Sequence, residues 1–410
     1  ALRSPMTSPT PVVLFDDGHG ATAPLTDLRA SFMVRTGALT TLERLRRMMP
    51  NRKFRVWTRA SVEAITRETT DLTVNEPATG LVLLLNGRCP LPPVSVHELQ
   101  EGEGLIDDAT GDLIAALLKG EDANALILGG RPAVPHAKRV KDAVLISRPW
   151  HVRTHRDACI KADLALLLGE GRGELPAGAL KVGDARISIS QTAKIYPSTL
   201  FDVEQGPIVI DHDAVVRPGA QLIGPCYVGP HSTILERATI RPFTALGPWC
   251  KVNGEVGGTI FQGFANKAHD GYLGDSYVGE WVNLGAGTTN SNLLNTYSET
   301  IAQATPGGKH ERTGQQFLGA IIGDHVKTAI CTRIMTASVL HTGGMFATTA
   351  AVSGCTPPFA WATDAGTKSY RFEKFLEVVQ AQMSRRKLTP SPAYVARLKD
   401  LANTPASAAT

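Results

Sequence analysis

From residue 210 onward the chain repeats a pattern of six. Ile210, Val216, Leu222, Val228, Ile234, Ile240, Leu246 and Val252 are all aliphatic. The positions four further on, Ala214, Ala220, Cys226, Ser232, Ala238, Thr244 and Cys250, are all small. One large apolar and one small residue per hexad is the pattern of a parallel β-helix. Three hexads make one triangular coil: the aliphatic side chain fills the interior, the small one lets the chain turn, and coils stack about 4.8 Å apart. The period lapses after Val252, returns at Val278 and Leu284, and again at Ile322, Thr328, Ile334 and Leu340. The two interruptions, 253–277 and 290–320, predict loops leaving one face of the solenoid, often the face that binds.

Ahead of the repeat the pattern alternates between short apolar runs and helical spacing. Residues 12–15, 54–57 and 81–85 read as strands; 40–49 reads as a helix with Leu42, Leu45 and Met49 on one face; 112–119 and 157–168 read as further helices. This predicts an α/β domain over 12–170 with a largely parallel sheet, and a boundary in 169–177. The solenoid is expected over 185–355. Helices follow over 366–402, where Phe372, Phe375, Val379 and Met383 form one stripe, and are expected to cover the open end of the solenoid. Residues 1–11, rich in Ser, Thr and Pro, are expected to be a disordered leader.

Composition narrows the function classes. The 39 Gly and 26 Pro, with only 6% aromatics, fit a turn-rich repetitive β architecture. The net charge of +4 is mild and its cations are scattered, which argues against a nucleic-acid partner. No apolar run reaches the ~18–20 residues of a membrane span. The six Cys form no CxxC pair, which points to free thiols in a reducing, cytoplasmic compartment. His151 and His155 stand at i, i+4, but no third ligand accompanies them, so no metal set is expected there.

The chemistry-bearing residues lie around the first interruption: Lys267, Ala268, His269, Tyr272, Leu273, Gly274 and Asp275, then Val282, Asn283, Gly285, Ala286, Gly287 and Asn292. At this spacing they resemble the acetyltransferase domain of the bifunctional N-acetylglucosamine-1-phosphate uridyltransferase/glucosamine-1-phosphate acetyltransferase family (GlmU type). Leu14-Phe15-Asp16, Arg148-Pro149-Trp150 and Gly323-Asp324-His325 are similar to an alternate bacterial branch of it. The resemblance implies a nucleotidyltransferase-like, Rossmann-like α/β domain followed by a left-handed parallel β-helix with C-terminal helices, assembled as a homotrimer. It implies acetyl-CoA-dependent N-acetylation of a sugar phosphate, glucosamine-1-phosphate in the family. For the N-terminal half it implies uridylyl transfer from UTP with Mg²⁺, provided that half is active.

Acetyl transfer to an amine needs a base to take the amine proton as the new bond forms, and imidazole is the side chain suited to that exchange near neutral pH. By resemblance His269 is that base. Lys267, Tyr272, Asn283 and Asn292 would hold the sugar phosphate, Arg241 would clamp its phosphate, and Ala286 would contact the acetyl-CoA thioester. Two positions depart from the family: Gly257 stands where a lysine is expected and Ile330 where a serine is expected. In the N-terminal half the candidate nucleotide contacts are Asp16, Asp17, Arg29, Arg35 and Arg88. Here Asn86-Gly87-Arg88 carries Arg where the family has a cation-binding Asp, and arginine cannot ligate a cation. Two rival readings remain from sequence: a sugar-1-phosphate nucleotidyltransferase whose β-helix only oligomerises it, and a non-catalytic sugar-nucleotide-binding scaffold.

Overall fold

The computed structural model describes residues 10–404, so the leader expected over 1–11 lies almost wholly outside the described residues. The chain forms two compact units. One comprises residues 10–20, 28–34 and 40–147; the other comprises 21–27, 35–39 and everything from 148.

The first unit is built on a six-stranded sheet in the order Phe54–Trp57, Val12–Phe15, Leu81–Asn86, Leu113–Lys119, Glu103–Asp107, His136–Val140. Its central runs are continuously apolar because both sheet faces are covered. Val12 and Leu14 enter one core with Leu42, Leu45 and Leu83. Val13 and Phe15 enter the other with Trp57, Val82 and Leu84. The helix Thr41–Met48 starts where Thr40 and Glu43 cap each other, backbone to side chain, at 2.7 and 3.2 Å. The expected helix over 112–119 is instead the strand Leu113–Lys119, antiparallel to both neighbours. An unbroken apolar run suits either state, and the two free edges waiting for it decide.

The second unit is a parallel β-solenoid. On its longest face nine strands stack from Ile187–Ile189 to Cys355–Thr356. The inward residues follow one another in register: Ile189, Ile210, Val228, Leu246, Phe261, Val278, Ile322, Leu340. All seven small positions from Ala214 to Cys250 are fully buried at corners. The residue before several of them, His231, Arg237, Phe243 and Trp249, turns the chain with a left-handed backbone, φ 57–61°.

The first expected interruption is not a loop. Val256, Phe261, Lys267, Leu273 and Val278 keep pointing inward across 253–277, and only the corners are shorter. The hexad count slips in phase while the coil continues. The second interruption is a true excursion: between Asn290 and Ile321 the chain leaves the ladder and forms the antiparallel pair Ile301–Gln303 with His310–Arg312.

The compact units also divide differently from the expected boundary at 170. The helix His151–Leu167 starts earlier than expected and packs Ile160, Leu164 and Leu167 on Val209, Tyr227 and Ala245, outside the solenoid's nine-stranded face. The terminal helices are Phe372–Ser384 and Pro392–Asn403. The first buries Phe375, Val379 and Met383, with Phe372 half-buried. It lies along the flank of the solenoid and not over its end. Gln382 donates to the Trp281 carbonyl at 2.7 Å and accepts from Lys327 at 2.9 Å, while Arg386 reaches Asn266. An apolar stripe finds more partners on that aromatic-lined flank than on a single terminal coil. No helix among the described residues is long and apolar enough to cross a membrane.

Candidate active site

His269 sits at a corner between two faces of the solenoid. The corner is set by Lys267, which occupies the inward position next to Val252 in the stack. An ammonium cannot remain in that apolar interior. Its Nζ bends back and donates to the carbonyl oxygens of Asn253 (2.9 Å) and His269 (2.8 Å). Burial pushes the lysine pKa down to about 8, and Asp270 offsets part of that. The His269 side chain points away, exposed, with no hydrogen-bond partner among the described residues.

Two concavities meet at His269. The first, about 540 Å³, lies between one solenoid face and the helix Phe372–Ser384; His269 and Asn283 line it with four cations, Lys251, Lys327, Arg385 and Arg386. No Asp or Glu lines it. Its floor is a row of outward residues stacked coil on coil, Lys251, Asn266, Asn283 and Lys327. Burial lowers the Lys327 pKa to about 8. Such a surface is built for an anion carrying several charges. The second concavity, about 680 Å³, is lined by His269, Asp270, Ala286, Gly287, Ile330 and Cys331 among others.

The other sequence candidates are distributed unevenly. Asn283 joins His269 in the basic concavity and Ala286 joins it in the second. Tyr272, Asn292 and Arg241 line neither and form a patch of their own. The Tyr272 hydroxyl accepts from Asn292 at 3.0 Å, and Asn292 also donates to Asp275 at 2.8 Å. Burial first, and Asp275 next, raise the Tyr272 pKa. Arg241 pairs with Glu255 at 2.7 Å, and its aliphatic stem lies over Gly257, where an added Cβ would meet it at 3.2 Å. Ile330 is exposed at the rim of the second concavity.

The first unit holds a separate cavity of about 580 Å³, lined by Asp16, Asp17, His19, Arg59, Asp112 and Arg131 among others. Of the five sequence candidates only Asp16 and Asp17 line it. Arg29 is buried elsewhere in the unit. Arg35 belongs to the second unit, where its backbone N–H and Nε donate to Gln262 at 2.8 and 3.3 Å. Arg88 lies beneath the floor, its side chain 1% exposed. It donates twice to Asp17 (2.8 and 2.6 Å) and once to Asp112 (2.7 Å). Burial alone would raise both carboxyl pKa values, but Arg88 holds them below the usual range. The Asp17 oxygens also accept from the His19 N–H and from Asn86, and Asp112 also bonds His19. A guanidinium therefore fills the space between Asp17 and Asp112, and the Asp17 lone pairs are used. These residues do not fit a Mg²⁺ ion.

Residues 12–171 match the sugar nucleotidyl transferase family model. The chain is similar to the bifunctional sugar-1-phosphate nucleotidylyltransferase/acetyltransferase of Sulfurisphaera tokodaii, at 35% identity over 34% of this chain and 36% of that protein. It is also similar to the bifunctional protein GlmU of Mycobacterium leprae, at 30% identity over 32% of this chain and 33% of that protein. Each alignment spans about a third of the relative's length. Among solved structures, the hexapeptide transferase family protein of Anaplasma phagocytophilum aligns over 54% of this chain and 96% of its own, at 14% identity and a TM-score of 0.20.

Sequence reasoning missed Lys251, Lys327, Arg385 and Arg386 in the second unit and Arg59 and Arg131 in the first. For the lysines a signal existed: each directly precedes an inward-column residue, Val252 or Thr328. It was masked by the phase slips at 253–277. The arginines arrive from a distant helix and loops, where spacing carries no signal.

Proposed function

We propose that this chain is an acetyl-CoA-dependent N-acetyltransferase acting on a sugar phosphate, with glucosamine-1-phosphate as the first acceptor to test. The observation that carries it is the placement of His269, without a side-chain hydrogen-bond partner among the described residues, where a basic concavity meets a second one that Glu236, Arg237 and Asp270 also line. In this reading the basic concavity takes phosphate groups, through Lys251, Lys327, Arg385 and Arg386. His269 takes the amine proton as nitrogen attacks the thioester carbonyl; the C–N bond forms, the C–S bond breaks and CoA leaves as its thiol. Asn283 orients the ligand beside His269, and Ala286 lines the thioester side. Tyr272, Asn292 and Arg241 are proposed to bind the sugar phosphate only if a second subunit carries their patch to the site, as a homotrimer would. A cytoplasmic location fits the six free cysteines.

A second activity, uridylyl transfer, is supported by the sugar nucleotidyl transferase match over 12–171. Its phosphate contacts in this reading are Arg59 and Arg131, with no cation between Asp17 and Asp112.

The test is release of free CoA from acetyl-CoA plus glucosamine-1-phosphate, comparing wild type with His269→Ala. A fall of ~10²–10⁴-fold with an unchanged melting curve supports the base. Turnover that survives the substitution removes His269 from the chemistry. Uridylyl transfer without any acetyl transfer would favour a nucleotidyltransferase with an oligomerising solenoid, and ligand binding without either would favour a scaffold.

A further inference from the structure

A cluster outside both concavities combines two imidazoles and a carboxylate. A ring nitrogen of His212, a carboxylate oxygen of Asp213 and a ring nitrogen of His231 all lie within 4.8 Å of one another. Asp213 and His231 are 18 residues apart, the same step that pairs Ile210 with Val228, so they occupy equivalent corners of consecutive coils. Both corners have left-handed backbones, φ 55° and 57°.

We infer that His212, Asp213 and His231 form a binding site for a divalent transition-metal ion, of which Zn²⁺ is the type, that clips two consecutive coils together. Three features support a built site. The Asp213 oxygen and His231 Nδ1 are 3.6 Å apart, close to the ~3.4 Å separating two ligands at 2.0–2.2 Å around a tetrahedral ion. His212 Nδ1 bonds Asp211 at 2.8 Å, and Asp211 is itself held by the Tyr227 hydroxyl at 2.6 Å. An imidazole donating one nitrogen to a carboxylate keeps its lone pair on the other, the support that metal-binding histidines use. The His231 ring is stacked on Trp249, centroids 4.4 Å apart, which limits its rotation. Two imidazoles with one carboxylate select Zn²⁺, Co²⁺ or Cu²⁺ over Mg²⁺ or Ca²⁺, and three protein ligands leave a fourth position for water.

The test uses the untagged chain, titrated with Zn²⁺ by calorimetry and with Co²⁺ by visible absorption. One ion per chain is expected, with affinity reduced at least about tenfold in His231→Asn and in Asp213→Asn. Asparagine tolerates the left-handed corner, so both variants should keep their fold, checked by thermal melting. His19→Asn should leave binding unchanged, since His19 belongs to the Asp17–Asp112 cluster of the first unit. Binding that both corner variants retain, binding lost in His19→Asn, or no stoichiometric binding would each overturn the inference.

Discussion

The ammonium of Lys267 donates a 2.8 Å hydrogen bond to the carbonyl oxygen of His269. A buried side chain from the solenoid interior thus holds the backbone of an exposed one at the corner. Replacing it by an apolar residue of similar length removes two charged hydrogen bonds but relieves the burial of an ammonium, terms that often nearly cancel in stability. Lys267→Met is expected to change the melting temperature little, while kcat for acetyl transfer falls about 10–100-fold through misplacement of His269. An unchanged kcat would show that the corner holds its shape without the lysine.

Lys327 lines the basic concavity with a pKa lowered by burial to about 8. Its charge is present below that pH and lost as pH rises through it. The KM of the substrate whose phosphate that concavity takes should therefore rise between pH 7 and 9, and Lys327→Arg, which stays charged, should flatten the profile. Stability moves the other way. The unfolded lysine titrates near 10.4, so the unfolded chain holds the extra proton between about 8 and 10.4, and native stability gains as pH rises across that window. Denaturant unfolding at pH 7.5 and 10 measures the sign.

Arg88 lies between Asp17 and Asp112 and pairs with both. UTP binding to this chain should give the same Kd with Mg²⁺ and with EDTA; a loss on chelation would show that a cation does enter. Arg88→Ala leaves two buried carboxylates without their partner, and at neutral pH should destabilise the first unit by about 3–5 kcal/mol. Both carboxyls are depressed in the native wild type, so this pairing contributes fully above pH ~4 and is lost as pH falls through their native values.

Asn290 stands in register with Ile334, at a position where the inward column is otherwise apolar. Its side-chain oxygen accepts from the Gly274 N–H at 2.8 Å, and its amide donates to the Gly274 carbonyl at 3.0 Å. Asn290→Leu restores the apolar pattern but strands those groups, and should cost about 1–3 kcal/mol. Urea denaturation checks it; a gain in stability would show that Gly274 finds other partners.

Much of this molecule was legible in the chain. The strict alternation of large and small residues from Ile210 to Val252 determined a solenoid, because local size and polarity alone settle which side chain points in and where the chain can turn. The run Val12–Phe15 marked a doubly covered strand for the same reason, and the sequence neighbours of His269 made it a candidate.

Tertiary structure decided the rest. The shortened corners that keep Phe261 and Leu273 inward break a six-residue count while preserving the coil, because stacking on the coil below sets which residue faces in. Lys251, Asn283 and Lys327 come together only through coil-to-coil register, and Arg386 reaches them only because its helix lies along the flank. The bond of Arg88 to Asp17 spans 71 residues, and no spacing rule anticipates that a guanidinium fills the gap between two carboxylates. Periodicity is a property of neighbours in the chain, whereas the charge and shape of a site belong to groups that only folding brings within a few ångströms.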